Sequence, residues 1–582
     1  MDRDVLRGRG GPAVVAVAGI ALSIVVTIAI GALGPSAVVP PLPGPAWQPP
    51  YSLGAHPGGH LVIALEAVAI VLGALGLGAG LLAVRRGWAP DPRRLLLAGC
   101  LAVVVLAFLP PSGSADHLNY AAYGRMVVLG HDPYAMGAVA LHGDPVADSV
   151  ERPWQEEPSV YGPVATAVQA LAGLVGGDSV RLIVFVLALV NAAAFVATAL
   201  LLHRFTRDDR ARQARAALLW TVNPLVVYQL VAGMHVDTLA IAFVVAALVT
   251  VGGRRWWTTG PLLGLAIAVK VNAGLVALGP AWDLRRQPRK LAVVAGTATL
   301  TVLVAYLLAG PHSLDQVLHA SKSISWATPW HLVQRGLQAM FGEGAYRVWI
   351  QIGSLLLLAL LATSLLRHRR PHLPPTTPSG TPSGTPSGTA MPSRIAMPSR
   401  IAMPSRIAMP SRIAMSSRIA ALLRTLAPSR QGEAGGAAVH GRVDAGVAVD
   451  GEGPGFARAR RAEGGWAAVG ARARGAEGGW VAVGMVVAWL FAAPYALPWY
   501  DGLAFALLAI VPATALDGFV VARLAVLSLA YLPARQDGQP PDLGWLVTVV
   551  RAQVVPWILL ALTVALVWWA LSAGARGSTR RG

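Results

Sequence analysis

Apolar runs of bilayer length recur along most of the chain, and no other property limits its fold so strongly. They fall at about 13–34, 61–84, 94–110, 179–202, 216–232, 236–252, 290–309, 346–366, 478–496, 502–515, 518–533 and 545–571. The hydrocarbon core of a bilayer is ~30 Å thick and offers no water to backbone N–H and C=O groups. Such runs must therefore cross it as helices that satisfy their own hydrogen bonds. Composition agrees: 55% of the 582 residues are hydrophobic, only 13% are charged, and the mean hydropathy is +0.57. A soluble domain carries about a quarter charged residues. The expected fold is an all-α polytopic membrane protein with about twelve transmembrane helices. Its first apolar run, at about 22 residues, is too long for the core of a signal peptide and reads as an uncleaved first helix.

The net charge of +19 invites a nucleic-acid reading, but its distribution argues against one. Between Arg367 and Arg474 sixteen arginines face five acids, an excess of eleven within one low-complexity stretch. Most of the remainder lies in short connections at 85–94, 203–215, 252–257 and 282–290, which with 367–370 are expected as cytoplasmic loops of a multi-pass plasma-membrane protein. One apolar segment, 258–281, has arginine clusters at both ends and carries Lys270 and Asn272 near its centre. It reads either as a re-entrant hairpin of two half-helices or as a crossing with one misplaced cluster; the hairpin keeps the alternation of sides consistent. From 371 to 475 the sequence is repetitive, with TPSG three times from Thr377 and AMPSRI four times from Ala390. That composition cannot bury enough apolar area to offset chain entropy. It separates a membrane core over 1–370 from C-terminal transmembrane helices over 476–582. Its arginines either touch anionic headgroups or are a tolerated repeat expansion. The single cysteine, Cys100, rules out a disulfide framework.

Alternation places the loops 35–60, 111–178, 233–236, 310–345, 497–501 and 534–544 on the outer face. The longest is acidic: from Asp116 to Asp178 it holds eight carboxylates against Arg125 and Arg152. Asp116 directly follows an apolar run, and helical spacing puts Asp116, Tyr120 and Tyr123 on one face. Its carboxylate either caps that helix or serves chemistry. His235 and Asp237, two residues apart in a short turn, read as a hydrogen-bonded site, as metal ligands lacking a third partner nearby, or as a plain interfacial turn. Lys322 is the only lysine on the outer side, and it either pairs with a phosphate or snorkels. His331 lies close by in the same loop. There is no Walker loop, dinucleotide fingerprint, HExxH or GxSxG, and no cofactor or metal is implied.

These pieces together resemble the GT-C superfamily of polytopic glycosyltransferases, and within it the polyprenol-phosphomannose-dependent α-(1→6)-mannosyltransferases of actinobacterial lipoglycan synthesis. The resemblance rests on Asp116-His-Leu-Asn-Tyr-Ala-Ala-Tyr-Gly124, Gly130-His-Asp-Pro-Tyr134, Pro158-Ser-Val-Tyr-Gly-Pro163, Asn223-Pro-Leu225, Gly233-Met-His-Val-Asp237, Gly264-Leu-Ala-Ile-Ala-Val-Lys270 and Leu497-Pro-Trp-Tyr500. It implies a GT-C-like fold with an outer-face catalytic loop. It also implies an inverting hexosyltransferase that moves mannose from polyprenyl phosphate to a glycan or glycolipid acceptor. On that likeness Asp116 is the general base, and Arg125, Lys322 and His331 are candidates for the donor phosphate, with Arg125 also able to hold the loop together. Tyr120, Tyr123, Tyr161, His235, Asp237, Lys270 and Tyr500 are further substrate-binding candidates. The implied partners are that donor, the acceptor and membrane lipids, not nucleic acid. A transporter or flippase of lipid-linked sugars is the alternative, since it too uses intramembrane polar residues and broken helices.

Overall fold

The structure is a computed structural model, and it describes residues 3–152, 154–320, 322–368, 477–533, 535 and 537–575. The chain divides into two units, one of Met1–Arg370 with Ala462–Gly582 and a second of Pro371–Arg461; every described residue belongs to the first. The repeat segment expected to be an unpacked linker lies outside the described residues. No β-strand occurs among the described residues.

Among the described residues, six helices are long and apolar enough to cross a membrane: Gly11–Leu33, Gly59–Arg85, Val180–Phe205, Pro288–Ala309, Arg347–Arg367 and Pro541–Ser572. The other expected runs form shorter or interrupted helices. The helices are numbered α1 (Arg3–Leu33), α2 (Gly59–Arg85), α3 (Pro92–Ala107), α4 (Asp116–Val128), α5 (Pro163–Gly176), α6 (Val180–Phe205), α7 (Arg210–Leu219), α8 (Asp237–Thr250), α9 (Thr259–Val269), α10 (Leu278–Leu284), α11 (Pro288–Ala309), α12 (Asp315–Ala320), α13 (Pro329–Phe341) and α14 (Arg347–His368). After the repeats come α15 (Glu477–Ala492), α16 (Asp501–Ile510), α17 (Leu516–Ala530) and α18 (Val555–Ala575).

The expected span 216–232 is not one helix. It breaks after Leu219 because Asn223 turns its side chain onto the N–H groups of Leu225 and Val226, and Pro224 has no N–H to continue the ladder. A π-helical stretch, Val227–Ala232, follows. The loop 111–178, expected on the outer face, is also more helical than its composition suggested, since α5 packs there against α4 and α6.

At the centre lies α16, all ten of whose residues are buried. A helix apolar on every side belongs inside a bundle; here α6, α7, α8, α15 and α17 surround it. Its one charge, Asp501, is paired with buried Arg523 of α17. Trp220 stacks on Phe195 with centroids 4.7 Å apart and donates Nε1–H to the Phe195 carbonyl. At one end of the bundle Asp517 accepts from Arg215 at 2.5 and 2.9 Å and from Arg85 at 3.1 Å. The fifteen residues of α17 separate this knot from Tyr531 by ~22 Å.

The segment 258–281 goes out and back. Gly260 packs directly on Val294 and Thr297, and Gly264 on Ala298 and Thr301, so α9 and α11 run parallel with their backbones in close approach. The chain breaks at Lys270, which is extended (φ −153°, ψ 119°), and returns through a 3₁₀ stretch and α10. Val251, Leu284 and Val294 then share one buried cluster, with Trp256 and Leu291 packed on it.

Candidate active site

Three stretches far apart in sequence meet at the end of the bundle opposite the Asp517 knot. The first is the start of α4. The Ser114 hydroxyl accepts the Asp116 N–H at 3.1 Å, and the Asp116 carboxylate caps no backbone group. It points instead toward Tyr120, whose hydroxyl lies 3.5 Å from Oδ2, and toward His235, whose Nδ1 lies 3.6 Å from the same oxygen. Contacts this long are weak and leave the oxygen available to a closer donor. The Asp116 side chain is 28% exposed, so a substrate can reach it. Burial raises its carboxyl to about 6, against the pull of nearby Lys270.

The second stretch is the turn after the π-helical residues. Met234 adopts a left-handed φ of 53°, and His235 N–H closes the turn onto the Leu230 carbonyl at 3.2 Å. This buries the His235 ring against Trp499, 3.8 Å between centroids and 19° from parallel. Burial first, then Lys270 and His117, push its pKa well down, so the ring is neutral. His235 and Asp237 do not converge on a common point. Asp237 instead accepts from Lys270 Nζ at 2.6 Å.

Lys270 comes from the third stretch, the break between α9 and the returning limb. Its ammonium also sits 4.4 Å from the centre of the Tyr500 ring. The outer loop docks on the same break: Gly162 N–H donates to the Val269 carbonyl at 3.0 Å, and a Cβ at Gly162 would collide with the Ala268 carbonyl. That contact sets Tyr161, which meets Tyr120 edge-on at 4.9 Å and Tyr123 at 6.4 Å. Tyr123 in turn donates to the Glu157 carbonyl at 2.9 Å. The result is an aromatic-walled recess with one partly open carboxylate, a neutral imidazole and a paired ammonium.

Of the residues expected here, Asp116, Tyr120, Tyr123, Tyr161, His235, Asp237, Lys270 and Tyr500 come together. Three do not. Arg125 is consumed by Asp144 at 2.8 Å and Asp178 at 2.6 Å, so it ties the outer loop and is not free for a phosphate. Lys322 is exposed and has no ion-pair partner among the described residues. His331 lies on α13; its Nδ1 has no hydrogen-bond partner, and burial and Arg335 lower its pKa. His117 and Tyr531 were missed. His117 is fully buried, and Tyr531 meets Trp499 edge-on at 6.4 Å. Nothing local in the sequence singled out either.

Residues 16–286 match the model of the family described as alpha-(1->6)-mannopyranosyltransferase, N-terminal domain. Those residues, a little under half of the chain, are similar to that family. The match takes in Asp116, Tyr161, His235, Asp237 and Lys270, and leaves Lys322, His331 and Tyr500 outside it. The chain is 27% identical over 180 residues to alpha-(1->6)-mannopyranosyltransferase A of Corynebacterium glutamicum, covering 31% of this chain and 36% of the relative. It is 26% identical over 220 residues to alpha-(1->6)-mannopyranosyltransferase B of the same organism, covering 38% and 34%. It is 27% identical over 237 residues to the A protein of Mycobacterium tuberculosis, covering 38% and 45%. The chain thus spans less than half the length of each of these relatives. No solved structure matches it.

Proposed function

We propose that this membrane protein is an inverting mannosyltransferase. It moves mannose from polyprenyl phosphate to a hydroxyl of a glycan or glycolipid acceptor at the non-cytoplasmic face of the plasma membrane. The observation that carries the reading is Asp116: a partly open carboxylate raised toward neutrality, in an aromatic recess, inside the segment matched to the mannopyranosyltransferase family. The acceptor oxygen attacks the anomeric carbon and its proton passes to Asp116 Oδ2. The bond from that carbon to the phosphate oxygen breaks, and its electron pair leaves with polyprenyl phosphate. A phosphate leaves without protonation, so the site needs a base, positioning and positive charge rather than an acid. Lys270 supports the last requirement: an ammonium has three donors, and Asp237 takes one. Neutral His235 holds Asp116 from the side, and tyrosines and Trp499 offer faces for a sugar ring.

Two features support the outer-face reading. Arginine-rich connections flank the end of the bundle away from Asp116, as the positive-inside rule asks of a cytoplasmic face. The eleven residues of α9 rise only ~16 Å, about half the hydrocarbon thickness, which supports reading 258–281 as a re-entrant hairpin with Lys270 at its tip. The test is incubation of membranes holding the chain, or its Asp116→Asn variant, with labelled polyprenyl-phosphate mannose and a short mannoside. Transfer by the first and not the second is expected; label that crosses the membrane unchanged would favour a flippase.

A further inference from the structure

The outer segment between Lys322 and His331 touches the site through neither of those residues but through two hydroxyls between them. Ser325 donates its N–H to the Pro494 carbonyl at 3.0 Å. Its Oγ accepts the Ala496 N–H at 3.1 Å and lies 3.2 Å from the Ala496 carbonyl. The Thr328 hydroxyl lies 3.1 Å from the Pro494 carbonyl and 2.9 Å from that of Ser325. Trp330 Nε1–H donates to the Ala492 carbonyl at 2.7 Å. Both hydroxyls are buried, although Lys322 and Trp326 beside them are exposed. The carbonyls of 492, 494 and 496, left without helical partners where α15 ends, are thus all met from one short outer segment.

What they hold matters. Three residues beyond Ala496 stands Trp499, stacked on His235, and four beyond stands Tyr500, over Lys270. Tyr531 braces the same point, donating to the Ala496 carbonyl at 3.1 Å and meeting Trp499 with its ring. On the other side of the recess, Gln316 of the same outer loop donates to the Glu157 carboxylate at 2.5 Å. One loop therefore ties the Asp116 side of the site to the Trp499 side.

We propose that Ser325 and Thr328 are positioning residues: they touch no substrate, and they fix the turn that sets Trp499 on His235 and Tyr500 on Lys270. The inference rests on the transferase reading. Small displacements of a positioned group cost up to about 10²-fold in rate, so the loss falls on kcat. The test compares the full chain with Thr328→Val, which loses the hydroxyl at similar volume, Thr328→Ser, which keeps it, and Ser325→Ala. For each, kcat per folded molecule, KM for donor and acceptor, and Tm are measured. The expected result is a fall in kcat of about 10-fold or more for Thr328→Val and Ser325→Ala, with KM little changed and Thr328→Ser close to wild type. Should Ser325→Ala not fold, the Thr328 pair carries the comparison. A wild-type chain that transfers, with Thr328→Val showing wild-type kcat and only a lower Tm, overturns this inference alone. A wild-type chain that transfers nothing overturns the functional reading and this inference with it.

Discussion

The pH dependence of transfer tests Asp116 as the base most directly. A general base works only as the carboxylate, and the site raises this carboxyl from its ordinary value to about 6. On that value about nine-tenths of Asp116 is ionised at pH 7 and about one-tenth at pH 5, so kcat/KM falls about ninefold across that interval. An aspartate at the ordinary ~3.9 would lose less than about a tenth of its activity over the same range. Neighbouring histidines do not blur the limb. Burial and Arg535 push His117 down to about 3, and burial and Lys270 lower His235 as well, so neither imidazole gains a proton there. Asp116→Asn should remove both the limb and the rate, by about 10²–10⁴-fold, or about 3–5 kcal/mol of transition-state stabilisation. Initial rates in membranes, taken with saturating donor and limiting acceptor, measure both. A profile flat down to pH 5, or an Asn variant that keeps the acid limb, refutes the assignment.

Lys270→Met or Asp237→Asn alone strands a buried charge and should cost about 3–5 kcal/mol, read as a lower Tm in detergent; the double variant should regain most of the stability and none of the transfer. Arg125→Ala should make the 130–160 region more sensitive to protease and leave the donor KM unchanged; a selective rise in that KM would return Arg125 to the phosphate. Removing 377–475 should leave transfer near that of the full chain, since α14 and α15 already pack through Leu365, Leu366 and Gly484. In a Cys100→Ala background, single cysteines at 178 and 322 should react with an impermeant thiol reagent in intact cells and one at 286 should not. Protection at 322 or labelling at 286 would break the single-face topology.

Hydropathy revealed the class of fold because burial in lipid leaves a long, unbroken signature. It did not reveal where helices stop. The run 216–232 is apolar throughout, and only Asn223-Pro224 marks its break, a local hydrogen-bonding event to which an average over twenty residues is blind. The helical spacing of Asp116, Tyr120 and Tyr123 was legible because it is local. The Lys270–Asp237 pair was not, since nothing in sequence links a lysine in one apolar segment to an aspartate thirty-three residues earlier. Arg125, Lys322 and His331 were read for the phosphate from the resemblance and their charge, without a view of their partners. Charge names what a residue could bind, whereas Asp144 and Asp178 had already claimed Arg125.

The breaks themselves explain why distant residues converge. Irregular backbone in an apolar setting is tolerated only where other groups satisfy its N–H and C=O, so each interruption needs a partner segment. The end of α9 finds one in Gly162, and the end of α15 in Ser325, Thr328 and Trp330. Each partner comes from a connecting loop, and each carries or fixes an aromatic residue of the recess: Tyr161 in one case, Trp499 and Tyr500 in the other. Satisfying the broken helices and building the recess are thus one set of contacts. A substitution that repaired a break, such as a helix former in place of Pro494 or Pro498, would improve the local helix and take the site apart.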